Sequence, residues 1–342
     1  MLAGSSSSGG DVYHDTAEKI RTTLEASLFS LPPDIQEHYA VRMYRITGDD
    51  RYLYSILYNL RLTLEQFSVD ADSLADSSYV RLRVKRLMDQ FDGDSRKNRY
   101  RRKLFEDAGL MIFYLDLLHT CNKIRQFDIP SPDIRDADDR VVACLRKVDF
   151  TTFLTDHDVI RIYAAQAVNY IYYLYDLGII DLRDQYQWSF REVFPDGEDD
   201  YLSRLEYKDK IYGLTHFIFA ASGYYQRGVD DSDFGWILDY FSKNIDRITE
   251  ETKEDIVAEV GVCFCLAGRE NDPAAQSCRD IILSSVDSDR GLIPSVSGDY
   301  SIENGEHRNV LAIMLLAWPG DLHAGPSFGD MPDFYREVFA EQ

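Results

Sequence analysis

Apolar residues recur at helical spacing along almost the whole chain, and the strict alternation a half-buried strand needs is nearly absent. The pattern predicts a first helix over 11–28, closed by Pro32-Pro33, and a second, IQEHYAVRMYRI, that stops at Thr47-Gly48. A third, DDRYLYSILYNLRLTLEQF, follows at once. Two long helices are predicted near 76–92 and 100–125, on either side of the DGDSRKN turn. After the DIPSPDIRDADD loop come helices near 138–148 and 156–177, then a long irregular connection, DLRDQYQWSFREVFPDGEDD. Helices resume near 200–225, 232–248, 252–268 and 273–286. A second long loop, DSDRGLIPSVSGDYSIENG, leads into EHRNVLAIMLLAW, and MPDFYREVFAEQ closes the chain with a short helix. The fold class expected is all-α.

The predicted helices are of two kinds. Those over 50–67 and 232–248 carry charge along one face, whereas 104–118, 162–175, 211–225, 256–267 and 310–318 are nearly apolar all round. A helix apolar on every side has to be covered on every side. Alternating covered and half-covered helices therefore imply an inner apolar ring wrapped by an outer amphipathic one. Polar residues stand near the heads of the covered helices: His38, Glu106 and Asp107, His157, His216, Glu259 and His307. Their separations, mostly about 43 to 69 residues, fit repeated helical hairpins. Six such heads imply six hairpins.

Two stretches carry a family resemblance. YRITGDDRYLYSILYNL resembles the joint of (α/α)6 toroid (six-hairpin) enzymes, in which an inner helix ends at TGD and an outer helix starts at RYL. EHRNVLAIMLLAW resembles the last inner helix of such a ring, and residues 11–320 are similar in helix pattern to a bacterial domain-of-unknown-function family of this architecture. The resemblance implies one toroid domain over 11–342, with a funnel lined by the segments entering the inner helices. It also implies carbohydrate chemistry by a hydrolase, lyase or epimerase. The epimerase branch uses paired histidines, which carry over here only as inner-helix positions, His216 and His307 with Glu259 or Glu306.

Candidate chemistry centres on these heads. Imidazole exchanges protons near neutral pH, and a helix N-terminus disfavours its charged form. His307, Glu306, His216 and Glu259 are therefore the candidate catalytic groups. His38, Arg308, Asn309, Tyr212, Asp107, His157 and Trp318 are candidate substrate contacts. The structural alternative stands beside each: a lone histidine at a helix end is commonly a hydrogen-bonded strut, above all His157, and Glu306 can simply complement the helix dipole, worth about 0.3–1 kcal/mol. Glycoside hydrolysis needs two carboxylates. Glu106, Asp107, Asp209, Asp255, Glu259 and Glu306 all qualify, in a chain rich in acids. Trp188 and Trp318, or the tyrosines of YAAQAVNYIYYLYDL, offer stacking faces or core packing.

No cofactor is expected. HExxH, Walker, GxGxxG and GxSxG motifs are absent from the sequence. Convergence of His38, His216 and His307 on a metal is the weaker reading, and the acidic clusters VDDSD and GEDD read better as solvated turns than as magnesium ligands.

Charge narrows the partners. With 37 basic and 59 acidic residues the chain carries −22, which argues against nucleic-acid and anionic-lipid binding and leaves a small molecule or glycan as the expected ligand. No apolar run reaches the roughly 18–20 residues that span a bilayer. The five cysteines, Cys121, Cys144, Cys263, Cys265 and Cys278, lack disulfide or CxxC spacing and read as core. Residues 1–10 read either as a disordered tail or as the tether of a periplasmic lipoprotein, with Ser5 where the lipidated cysteine would stand; a cytoplasmic location is the alternative. Neither reaction type nor oligomeric state is legible.

Overall fold

The computed structural model describes residues 8–93 and 95–340. The tether expectation falls largely on residues 1–7, outside the described residues. Sixteen α-helices are present among the described residues, with no β-strand. In chain order they are α1 (Ser8–Glu25), α2 (Pro33–Thr47), α3 (Leu53–Asp72), α4 (Ser77–Met88), α5 (Arg96–Asp107) and α6 (Met111–Gln126). Next come α7 (Pro132–Leu145), α8 (Phe150–Leu154), α9 (His157–Asp176), α10 (Arg183–Val193) and α11 (Arg204–Ala221). The last are α12 (Asp231–Glu251), α13 (Glu254–Leu266), α14 (Pro273–Ser285), α15 (Ile302–Leu316) and α16 (Pro332–Ala340). None of the described helices is long and apolar enough to cross a membrane.

The chain divides into two compact units. The first joins the N-terminal part up to Asn59 with Ala221–Pro326; the second joins Leu60–Ala220 with the chain from Ser327. In the first unit α15 touches α1, α2, α13 and α14, and every residue from Val310 to Leu316 is buried. Its apolar run is thus covered on all sides, and the same holds for α13 from Ile256 to Leu266. In the second unit α9 packs against α5, α6, α8 and α10.

Local signals explain most boundaries. Pro33 opens α2, and Gly48, at φ +66°, ends it in the left-handed conformation that a glycine adopts without strain. Asp49 then caps the next turn by accepting from the Arg51 amide at 2.9 Å. Three expectations fail. The DIPSPDIRDADD segment, expected as a loop, is helical from Pro132, where α7 opens with the Ser131 cap. The single helix over 100–125 is interrupted at Ala108-Gly109-Leu110, with Gly109 at φ +65° separating α5 from α6. The irregular connection after residue 177 contains α10, whose Tyr186, Phe190 and Val193 are buried on one face.

The five cysteines are free thiols, four buried and Cys144 half-buried. Gly261 on α13 marks a close approach between α13, α14 and α15. A Cβ there would lie 2.6 and 2.7 Å from the Leu315 methyls and 3.0 Å from Cys278 Cβ. Overpacking of this kind costs about 1–3 kcal/mol. Gly261→Ala is therefore expected to lower stability by about that amount in urea unfolding; an unchanged midpoint would mean that α13 and α15 are not in contact there.

Candidate functional site

Helix α2 carries His38, Arg42 and Arg45 at i, i+4 and i+7, on one face. Helix α15 supplies Glu306 and His307, and α13 supplies Glu259. All belong to the first unit. Glu306 receives His38 Nδ1 at 2.8 Å from Oε2 and 3.0 Å from Oε1. On the other side of that ring, His38 Nε2 lies 3.3 Å from His307 Nδ1. His307 Nε2 in turn lies 3.6 Å from Glu259 Oε1. The four side chains form one line: carboxylate, imidazole, imidazole, carboxylate.

Burial within the line is uneven. The Glu306 and Glu259 side chains are 5% and 2% exposed, while His38 and His307 keep 31% and 36% of their side-chain surface. The carboxylates lie behind and the imidazoles face outward. Because a carboxylate only accepts, His38 Nδ1 carries the proton toward Glu306 and Nε2 is bare in the neutral ring. The three gaps then hold either two protons or three. With three, His307 is doubly protonated and every gap is bridged. With two, one gap opposes lone pairs, and His307 Nε2 is a buried nitrogen without a hydrogen-bond partner. Such a line can take up or release one proton.

His38 titrates at about 4, chiefly because burial disfavours imidazolium; Arg42 adds to the depression and Glu306 opposes it. The helix dipole has little part in this. His38, Glu259 and His307 are each the sixth residue of their helix, beyond the first turn where the dipole acts. The expectation that these groups sit at helix heads is corrected accordingly.

Two residues that the sequence pattern did not single out complete the site. Arg42 donates to the His38 carbonyl at 3.0 Å, lies 5.7 Å over the Tyr225 ring, and has a buried Nε without a partner. Tyr225 is itself buried, and its phenol is pushed up by burial and by Glu259 while Arg42 opposes the shift. Tyr224 and Tyr225 are both left-handed, at φ +57° and +74°, a conformation that costs a non-glycine residue about 1–3 kcal/mol. Buried Arg45 offsets that strain by donating to the carbonyls of Gly223 (3.4 Å), Tyr224 (2.8 Å) and Gly325 (3.0 Å).

The other candidates are dispersed. Arg308 donates to Pro294 O at 2.7 Å and pairs with Glu254 at 3.0 Å, and Asn309 binds both Ile293 backbone groups and Gly305 O. These two hold the 286–301 loop to α15. In the second unit His216 Nδ1 meets Asn169 Oδ1 at 3.0 Å, and its ring packs 4.9 Å from Tyr212. His157 is the first residue of α9, half-exposed and 3.5 Å from Glu192. Asp107 ends α5 and pairs with Lys103 at the surface. Glu106 likewise pairs with Arg102, so neither acid heads a covered helix. Trp318 lies just past α15, half-buried. Among the described residues no group of three or more His, Cys, Asp or Glu side chains is arranged to hold a metal ion.

As pH falls, the unfolded chain protonates His38 near about 6.5, whereas the folded chain does so only near 4. The unfolded state therefore binds more protons between those limits, and stability falls across that window and no further below it. The urea midpoint of the wild type should drop between about pH 6.5 and 4 more steeply than that of His38→Gln. Parallel slopes would show that His38 is as easily protonated folded as unfolded.

Residues 13–340 match the family described as domain of unknown function DUF3541, and the chain belongs to that family. Comparison with curated proteins and with solved structures brings no significant match.

Proposed function

We propose, for a member of a family whose description assigns no activity, that the chain is a carbohydrate-active enzyme using His/Glu acid–base chemistry, built on helical hairpins of the (α/α)6 toroid type. The observation that carries the reading is the Glu306–His38–His307–Glu259 line, with both imidazoles outward and both carboxylates behind them. Structural histidines are normally enclosed with their partners. Here two rings share a proton gap and remain part-exposed.

The same geometry favours one branch of carbohydrate chemistry. Hydrolysis requires two carboxylates flanking the glycosidic bond, and Glu306 and Glu259 are each screened by an imidazole. Proton abstraction and return, as in elimination or epimerisation, needs a neutral base with a positioned partner. The histidine pair acts as one coupled unit in this role. In its two-proton state the line takes up one proton at its open gap, where His307 Nε2 faces Glu259, and in its three-proton state it gives that proton back. Glu306 fixes the His38 tautomer, and Glu259 stabilises charge on His307. In this reading Arg42 stabilises negative charge that develops on the substrate. Tyr225, next to Arg42, would hold that guanidinium in place.

Incubation with neutral sugars, uronic acids and their oligomers in D2O, followed by NMR, tests the reading. A proton-transfer enzyme exchanges a carbon-bound hydrogen or forms a double bond. His307→Gln should slow this by about 10²–10⁴-fold while the helical circular dichroism is retained. New reducing ends without exchange would indicate hydrolysis instead. Silence across the panel, with His307→Gln melting well below the wild type, would favour a non-catalytic helical protein that binds a glycan, peptide or partner protein.

A further inference from the structure

In a chain of net charge −22, residues 96–103, RKNRYRRK, hold six cations in eight positions. They form most of α5, whose N-cap Ser95 accepts from the Asn98 amide at 3.0 Å. The start of α5 meets the starts of α9 and α11 around a cavity of about 360 Å³ that lies wholly within the second unit. Three cations line it: Arg96, Lys97 and Arg161. They are committed to different degrees. Lys97 is bound to Asp209 at 2.6 Å. Arg161 reaches Glu206 only at 3.4 Å, and that carboxylate already accepts from the Ser203 amide and hydroxyl, which hold its pKa below the usual value. Arg96 stacks at 5.3 Å on Tyr100 and has no carboxylate partner among the described residues. Two guanidiniums thus present donors to the cavity.

The remaining lining suits hydroxyl groups and a ring. Asp158, Glu206 and Asp209 are acceptors, Ile162 and Leu205 are apolar, and Tyr100, 45% exposed, carries Arg96 over its ring and accepts from it at 3.4 Å. The volume is near the lower end of ligand sites, about 300–1,000 Å³, which suits a single sugar-sized ring.

We propose that this cavity is a second ligand site, taking a monosaccharide-sized polyol that carries one carboxylate or phosphate group. The acid group pairs with Arg96 and Arg161, and the hydroxyls donate to the carboxylates. The proposal is independent of the chemistry assigned to the His38–His307 pair, because the two groups of residues belong to different units.

The test is titration calorimetry on the full chain with glucuronate, glucose 6-phosphate, glucose and inorganic phosphate. Arg96→Ala and Arg161→Ala change exposed side chains and are expected to melt with the wild type. At least one acidic sugar should bind, the stronger of the two identifying the acid group. Each variant should weaken that binding by about tenfold or more, as expected for a charge-assisted hydrogen bond, and His307→Ala should leave it unchanged. Four results would overturn the proposal: no binding of either acidic sugar; equal binding of glucose; inorganic phosphate binding as tightly, which would make this an adventitious ion only; or loss of binding in His307→Ala but not in the arginine variants.

Discussion

A carboxylate enclosed between packed helices has to be answered by a proton donor, and Glu306, 5% exposed, imposes that condition on the first unit. Burying an unpaired charge costs far more than a single hydrogen bond returns. Glu306 lies on the part of α15 that packs against its neighbours, whereas the adjacent His307 keeps part of its surface exposed. His38 on α2 supplies the donor. That pairing fixes the ring's orientation, leaves Nε2 bare, and so calls for His307 on the far side. Glu259 on α13 closes the line. A packing requirement therefore determines the protonation chemistry available at the surface.

The backbone around the line is held in the same manner. Helix α2 places His38, Arg42 and Arg45 on one face, so the element that answers Glu306 also clamps the strained Tyr224-Tyr225 segment. Strain at two adjacent tyrosines persists only where surrounding contacts over-determine it, and buried Arg45 provides them. Arg308 and Asn309 do comparable work on the other side of α15, tying the 286–301 loop so that the helix begins where it does. Stability and chemistry thus draw on neighbouring residues with different tasks.

Much of this was legible in the sequence, for identifiable reasons. All-round apolar runs such as VLAIMLL have one solution in water, complete cover, and α13 and α15 show it. The Thr47-Gly48-Asp49 joint announced itself because each residue has a specific backbone task. His38, Glu259, Glu306 and His307 stood out as polar residues in apolar surroundings. Their position within the helix did not, because α15 starts at an inconspicuous Ile302, after the Ser301 cap. The break between α5 and α6 was hidden by Gly109 lying in a continuous helical pattern. Helix α10 was hidden because Leu182 gives it no side-chain cap. Arg42 and Tyr225 gave no signal at all: their importance comes from a left-handed turn that places an ordinary tyrosine against an ordinary arginine. The basic run of α5 was obscured by the strongly acidic average.

The most direct test of the account is histidine-selective ¹⁵N NMR across a pH titration, on the wild type and on Glu306→Gln. The account predicts that neutral His38 carries its proton on Nδ1, and that the His38 and His307 signals respond together to protonation. It also predicts that Glu306→Gln disturbs the titration of both rings. A His38 ring protonated on Nε2, or a His307 titration indifferent to Glu306→Gln, would contradict the proton-sharing line on which the functional proposal rests.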